Sequence, residues 1–141
     1  MEEFNVKEIT VKAIPENLQL VLDLVNTELE TIGCPVKKQL QIAIAVEEIY
    51  MNITNYAYYP DTGTVSICFD LRGEPPQVII RFTDSGKPFD PLEKADPDIT
   101  LSASERDIGG LGLYLVKKII EKVTYEYRDG KNILTILDSL G

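Results

Sequence analysis

Gln41-Ile42-Ala43-Ile44-Ala45-Val46-Glu47-Glu48-Ile49-Tyr50-Met51-Asn52-Ile53-Thr54-Asn55 decides the fold of this chain. The stretch reads as a helix that is apolar almost all round, the pattern of a buried helix. A narrow polar stripe interrupts it. At about 100° per residue, Gln41, Glu48, Asn52 and Asn55 fall within roughly 60° of one another. Glu48 and Asn52 stand at i and i+4, one turn apart on one face. A carboxylate and a carboxamide on a buried helix are costly without partners. Glu47 lies about 100° off the stripe and reads as a solvated charge.

Working outward, this helix starts near Val36 and ends around Tyr58, before Tyr59-Pro60-Asp61-Thr62-Gly63. Upstream, Leu18, Val21, Leu22, Val25, Leu29 and Ile32 recur at helical spacing. Pro15 opens that helix, and Gly33 followed by Pro35 closes it. Before it, Phe4 to Ala13 reads as a strand, with a phase shift at Lys7-Glu8 that suggests a bulge. Downstream, Val65, Ile67, Phe69 and Leu71 alternate with Ser66, Cys68, Asp70 and Arg72, a half-buried strand. Gly73-Glu74-Pro75-Pro76 turns the chain into a second strand, Gln77 to Thr83. Asp84 to Asp107 has little periodicity and is rich in Pro, Asp and Ser, with a short helical stretch around Leu92 to Ala95. A compact domain rarely keeps so long a loop unless it has a function such as a lid. Gly109-Gly110-Leu111-Gly112 opens a third helix with the stripe Leu115, Val116, Ile119, Ile120 and Val123. Two last strands flank Asp129-Gly130, a strong hairpin signal.

The order β-α-α-β-β-lid-α-β-β predicts an α+β fold. It is a two-layer α/β sandwich with a mainly antiparallel mixed sheet covered on one face by three helices. The 141 residues fit a single domain, 1–141, with a real core. A formal charge of −9 argues against a nucleic-acid surface, which needs a cationic field. The absence of histidine removes Ser-His and Cys-His nucleophile systems and His-ligated metals. Cys34 and Cys68 lie far apart and read as free thiols of a reducing compartment. The acidic start MEEFNVKE has no apolar signal region, and no run of ~18 apolar residues follows. The expectation is a cytoplasmic protein that does not meet a membrane.

Three features carry chemistry. Gly109 to Leu113 has no strand before it and no Gly-Lys-Ser/Thr, so it is neither a dinucleotide fingerprint nor a P-loop. It is a helix N-terminus whose glycines let an anion approach free N–H groups, or simply a cap with tight packing. Asp84-Ser85-Gly86 follows a hydrophobic strand and is by itself an ordinary strand-ending turn. The Glu48/Asn52 stripe is the third, and alone it could cap a neighbouring loop. In this order and spacing they resemble the ATP site of the gyrase/histidine-kinase ATPase superfamily, the Bergerat fold. Glu48-Ile49-Tyr50-Met51-Asn52 resembles its N box, Asp84-Ser85-Gly86-Lys87-Pro88 its first glycine box, and Gly109-Gly110-Leu111-Gly112-Leu113 its second. The nearest branch is the small anti-sigma-factor serine/threonine protein kinases, which the ending Tyr125 to Asn132 resembles too.

The resemblance implies a site. Asn52 would hold Mg²⁺ through its amide oxygen, beside ATP phosphates and water. Asp84 would accept a hydrogen bond from the adenine amine, and Gly86 would let the base approach the backbone. Gly109, Gly110, Leu111, Gly112 and Leu113 would bind phosphate at the helix start, and Pro88 of the first glycine box would be a nucleotide-binding residue as well. Asn55 would contact phosphate or brace an ATP lid at about 87–109. Lys87, Lys94 and Arg106 are cations in or beside that lid, and Tyr56 stands where many relatives have a histidine. Glu48 would act as general base toward an attacking serine or water. The implied partners are an anti-anti-sigma antagonist and a sigma factor or other regulator. Such kinases often dimerise, so a homodimer is admitted. A nucleotide-gated binding module without phosphoryl transfer is the alternative, and Glu48 separates the two.

Overall fold

The computed structural model describes residues 6–90 and 108–140. The chain runs β1 (Lys7–Lys12), a 3-10 turn (Pro15–Asn17), α1 (Leu18–Thr31), α2 (Val36–Tyr56), β2 (Thr64–Arg72), β3 (Gln77–Asp84), α3 (Ile108–Ile119), β4 (Lys122–Arg128) and β5 (Lys131–Ser139). Among the described residues, the strands form one five-stranded sheet in the order β1-β2-β3-β5-β4. Every pairing is antiparallel, so the sheet is not mixed.

Alternation places one face of each strand against the helices. Val65, Ile67 and Phe69 of β2, Val78, Ile80 and Phe82 of β3, and Leu134 and Ile136 of β5 are buried together. α1 answers with Val21, Val25 and Leu29, α2 with Ile42, Ala45, Val46, Ile49 and Tyr50, and α3 with Val116. Each fully buried Val, Ile or Phe contributes about 1.5–3 kcal/mol relative to exposure. A one-residue slip would turn a whole row of them to solvent, so the register is strongly fixed. That register sets Asp84, the last residue of β3, directly across from Asn132 of β5.

The structure corrects the sequence reading at four places. β1 pairs with β2 from Lys7↔Phe69 to Lys12↔Thr64 without interruption, so it has no bulge at Lys7-Glu8. The expected start at Phe4 lies outside the described residues. α2 is not buried all round: Val36, Leu40 and Ile44 are 76%, 59% and 46% exposed and form one apolar row at i, i+4 and i+8. The helix therefore covers the sheet with one side only. α3 ends at Ile119, and Val123 belongs to β4. Val123, Tyr125 and Tyr127 alternate as a strand, and that pattern competes with the helical spacing through Ile120 and Val123. Leu115, placed on the core stripe by that spacing, is exposed, whereas Leu113 is buried. No helix among the described residues is long and apolar enough to cross a membrane. The short helix expected at Leu92 to Ala95, with Lys94 and Arg106, lies outside the described residues, as does most of the lid expected at 87–109.

Candidate functional site

Asp84 ends the inner face of β3, where alternation would otherwise place an apolar side chain. It is 5% exposed. Its Oδ1 accepts the Gly86 N–H at 2.9 Å and the Asn132 Nδ2 hydrogen at 2.9 Å. Among the described residues, Oδ2 has no hydrogen-bond partner. Burial pushes the Asp84 carboxyl above its ordinary value, and the bonds from Asn132 and Gly86 pull it partly back.

The loop after Asp84 is held from two sides. On the helix side it docks on the end of α2: Lys87 N–H donates to the Ala57 carbonyl at 3.0 Å. The Ser85 N–H donates to the Tyr58 hydroxyl, which itself donates to the Thr64 carbonyl. Gly86 is pressed onto this helix end. A Cβ there would lie 2.2 Å from the Ala57 carbonyl oxygen, so only glycine permits the approach. On the sheet side, Asn132 donates from Nδ2 to the Lys87 carbonyl at 2.9 Å and lies 3.4 Å from the Gly86 carbonyl. Its Oδ1 accepts the Phe89 N–H at 3.2 Å and the Tyr125 hydroxyl. The Phe89 N–H also reaches the Tyr125 oxygen at 3.3 Å. Burial raises the Tyr125 phenol, which favours the protonated form that donates. The Phe89 ring stacks on Tyr56, with centroids 6.1 Å apart.

Between loop and helices lies a cleft walled by Asn52, Ile53 and Ala57 of the α2 end, Phe82 and Asp84 of β3, and Leu113 of α3. Phe89, Tyr125 and Asn132 close its other side. The enclosed volume is about 30 Å³, well under the ~150 Å³ of an engineered cavity that admits benzene. Asn52 and Glu48 are half-buried, and among the described residues neither side chain has a hydrogen bond or ion pair. Of the stripe, Asn52 lines the apolar cleft with its carboxamide unpartnered among the described residues, the condition expected of a group that meets a ligand.

Of the residues expected from the sequence, Asn52, Asp84 and Leu113 meet in this one cleft. Glu48 stands one turn back from Asn52 on α2. Asn55 and Pro88 are exposed and are not among its wall residues. Gly109, Gly110, Leu111 and Gly112 fall in the first turns of α3, which starts at Ile108, so α3 sets that segment next to Leu113. Sequence reasoning gave no site role to Asn132, Tyr125, Tyr58 or Phe89. The signal available for Asn132 was its place at the start of a strand that follows the Asp129-Gly130 turn, level with the end of β3.

Comparison with known proteins follows this geometry. The pattern of the histidine kinase-like ATPase domain matches residues 11–137. The serine-protein kinase RsbW of Bacillus cereus is 25% identical over 138 residues, covering 95% of this chain and 85% of that kinase. The serine/threonine-protein kinase BtrW of Bordetella bronchiseptica is 28% identical over 95 residues. That match takes in 67% of this chain and 66% of the kinase, just under two thirds of its length. Among solved structures, the RsbU and RsbW domains of Rv1364c from Mycobacterium tuberculosis share the fold at a TM-score of 0.69 and 16% identity. The match covers 96% of this chain and 32% of that longer one. The fold, the cleft and the match across residues 11–137 together establish that the chain belongs to the histidine kinase-like ATPase family.

Proposed function

We propose that this chain is an ATP-dependent protein serine/threonine kinase of the anti-sigma type, acting on a serine of an anti-anti-sigma antagonist. The observation that carries the reading is Asp84, a buried carboxylate that lines the cleft together with Asn52, its Oδ1 held by Gly86 and Asn132 and its Oδ2 without a hydrogen bond among the described residues. An acceptor so placed suits the exocyclic amine of adenine. The names of the relatives RsbW and BtrW support serine or threonine as the acceptor class.

In this reading the adenine lies against Asp84, and the phosphates run toward the first turn of α3, where free backbone N–H groups and the helix dipole favour anions. The carboxamide of Asn52 fits a hard cation such as Mg²⁺ through its oxygen. Mg²⁺, when bound, supplies charge neutralisation for the phosphates. Glu48, one turn from Asn52, takes the proton of the serine hydroxyl as its oxygen bonds to the γ-phosphorus. The bond from that phosphorus to the β,γ-bridging oxygen breaks, and ADP leaves with the electron pair. Such a transfer depends mainly on positioning and charge stabilisation, so a short set of groups suffices.

The test is twofold. Calorimetric titration with Mg-ATP should give saturable binding that Asn52→Ala abolishes. With antagonist proteins encoded nearby, phosphoserine should form and should fall by about 10²–10⁴-fold in Glu48→Ala. A flat titration at millimolar Mg-ATP removes the nucleotide reading altogether. Binding without phosphoserine, and partner affinity that still responds to nucleotide in Glu48→Ala, would identify a nucleotide-gated module instead.

A further inference from the structure

Asn132 is 6% exposed and uses its whole hydrogen-bonding capacity inside the site. A carboxamide offers two N–H hydrogens and an oxygen with two acceptor positions. Here the hydrogens go to Asp84 Oδ1 and the Lys87 carbonyl, each at 2.9 Å. The oxygen takes the Phe89 N–H and the Tyr125 hydroxyl. One side chain on β5 thereby ties the end of β3, the loop through 87–89 and β4 into a single unit.

We propose that Asn132 is the positioning residue through which the site tells adenine from guanine. The inference rests on the adenine reading of Asp84 given above. Adenine presents an amine at the position where guanine presents a carbonyl oxygen. A carboxylate that can only accept bonds with the first and repels the second. That selectivity lasts while Asp84 keeps Oδ1 engaged, Oδ2 available to the base, and the carboxylate ionised. Both donors to Asp84 converge on Oδ1, which stops the carboxylate from rotating to offer a different edge. The same donors favour the ionised form against the desolvation of the site. Without Asn132, Asp84 keeps only the Gly86 N–H. The carboxylate then gains freedom to turn and to bind a proton, and a protonated carboxyl can donate to the guanine carbonyl. The loop carrying Phe89 loses its bonds to Asn132 by the same change and keeps its hold on the α2 end. Both nucleotides then lose a common part of their affinity, while ATP alone loses its selective part.

The readout is the ratio of ATP to GTP dissociation constants, measured by calorimetry with Mg²⁺ for the wild type, Asn132→Ala and the near-isosteric Asn132→Leu. Loss of one well-formed charge-assisted bond predicts that the preference for ATP falls by about tenfold or more in both variants. Thermal unfolding is followed in parallel. Equal weakening of ATP and GTP, with the ratio kept, would show a purely structural clamp and overturn the proposal. Should Asn132→Ala not fold, Asn132→Leu fills the volume and carries the same decision. Wild-type protein that binds neither nucleotide overturns the underlying adenine reading, and the inference with it. Wild-type preference for ATP with an unchanged ratio in the variants overturns the inference alone.

Discussion

β3 and β5 run side by side through the core, and both ends of that ladder bury a carboxylate. At one end Asp84 faces Asn132, and at the other Asp138 stands across from Val78. The two acids are 5% and 4% exposed. Their company differs. The Lys38 ammonium of α2 lies 3.3 Å from Asp138 Oδ2, and the Glu121 N–H donates to its Oδ1. Asp84 has hydrogen bonds only from neutral groups, all on one oxygen. Burial of a charge is costly unless a counter-charge and hydrogen bonds accompany it. The Asp138 end has a counter-charge and one hydrogen bond within the protein, with Lys38 beside Oδ2 as an ion pair and not a hydrogen bond, and it fastens the first turn of α2 to the sheet. The Asp84 end lacks a counter-charge, and among the described residues its Oδ2 has no hydrogen bond. Equal burial with unequal pairing is what distinguishes the two carboxylates.

The largest effect should come from breaking the complete pair. Lys38→Met leaves Asp138 buried and uncompensated, and stability should fall by about 3 kcal/mol. That is the low end for a buried pair, because the Lys38 side chain keeps 29% of its surface exposed. Nucleotide affinity at the far end should be unchanged. Denaturant unfolding with a parallel Mg-ATP titration checks both. The double variant Lys38→Met/Asp138→Leu should recover most of the loss, since an apolar pair of similar volume carries no desolvation cost.

Next in size is Gly86→Ala. A Cβ 2.2 Å from the Ala57 carbonyl oxygen cannot be accommodated by a side-chain movement, because both atoms belong to backbone-defined positions. The loop must lift from α2, losing the bond from Lys87 N–H to Ala57. Stability should fall by about 1–3 kcal/mol. Unlike Lys38→Met, this change should also weaken nucleotide binding, by about tenfold or more. Equal affinity in wild type and variant would mean that the loop does not position the ligand.

The contrast between the ends also explains what could be read beforehand. Strands β2 and β3 were legible because they alternate cleanly, apolar inward and polar outward. Asn52 was legible because it is a polar residue on an otherwise apolar helix, whereas Asp84 by itself read as part of an ordinary strand-ending turn after Thr83 and stood out only through the resemblance of the three motifs taken together. β5 was harder to read. Leu134 and Ile136 face in, but Ile133 and Leu137 on the other face are apolar too, so alternation does not say which way Asn132 and Asp138 point. Only the pairing Asp84↔Asn132 settles it, and long-range register is not written in any local window. The apolar row Val36, Leu40 and Ile44 misled for a related reason. Hydrophobicity around a whole helix signals burial only when every side has a neighbour, and here one side has none among the described residues.

A smaller effect belongs to the ring pair that flanks the cleft. The Tyr56 and Phe89 rings are stacked at an interplanar angle of 26°. A double-mutant cycle with Tyr56→Ala and Phe89→Ala should return a coupling of about 0.5–1.5 kcal/mol in the ligand-free protein. A ligand that displaces Phe89 should reduce that coupling toward zero. Coupling that persists undiminished with nucleotide bound would place the ligand elsewhere in the cleft.

The smallest effect should be a gain. Desolvation raises the Asp84 carboxyl in the folded protein above its ordinary value of 3.8. The folded state therefore holds its proton to higher pH than the unfolded chain does. Between 3.8 and the raised folded value, the folded form binds more protons, so stability falls as pH rises through that window and stays lower above it. Asp84→Asn removes this term. The carboxamide oxygen that this substitution introduces can still accept from Asn132 and Gly86, so the loop should keep its place. The variant should equal wild type below pH 3.8 and exceed it slightly at pH 7, in unfolding followed across the pH range. Its ATP affinity should nevertheless fall, because an amide accepts more weakly than a carboxylate. The matching change at the other end, Asp138→Asn, should be destabilising at pH 7, since it strips Lys38 of its counter-charge. Opposite signs from the same substitution at the two ends would be the sharpest mark that one buried acid serves the fold and the other serves a ligand.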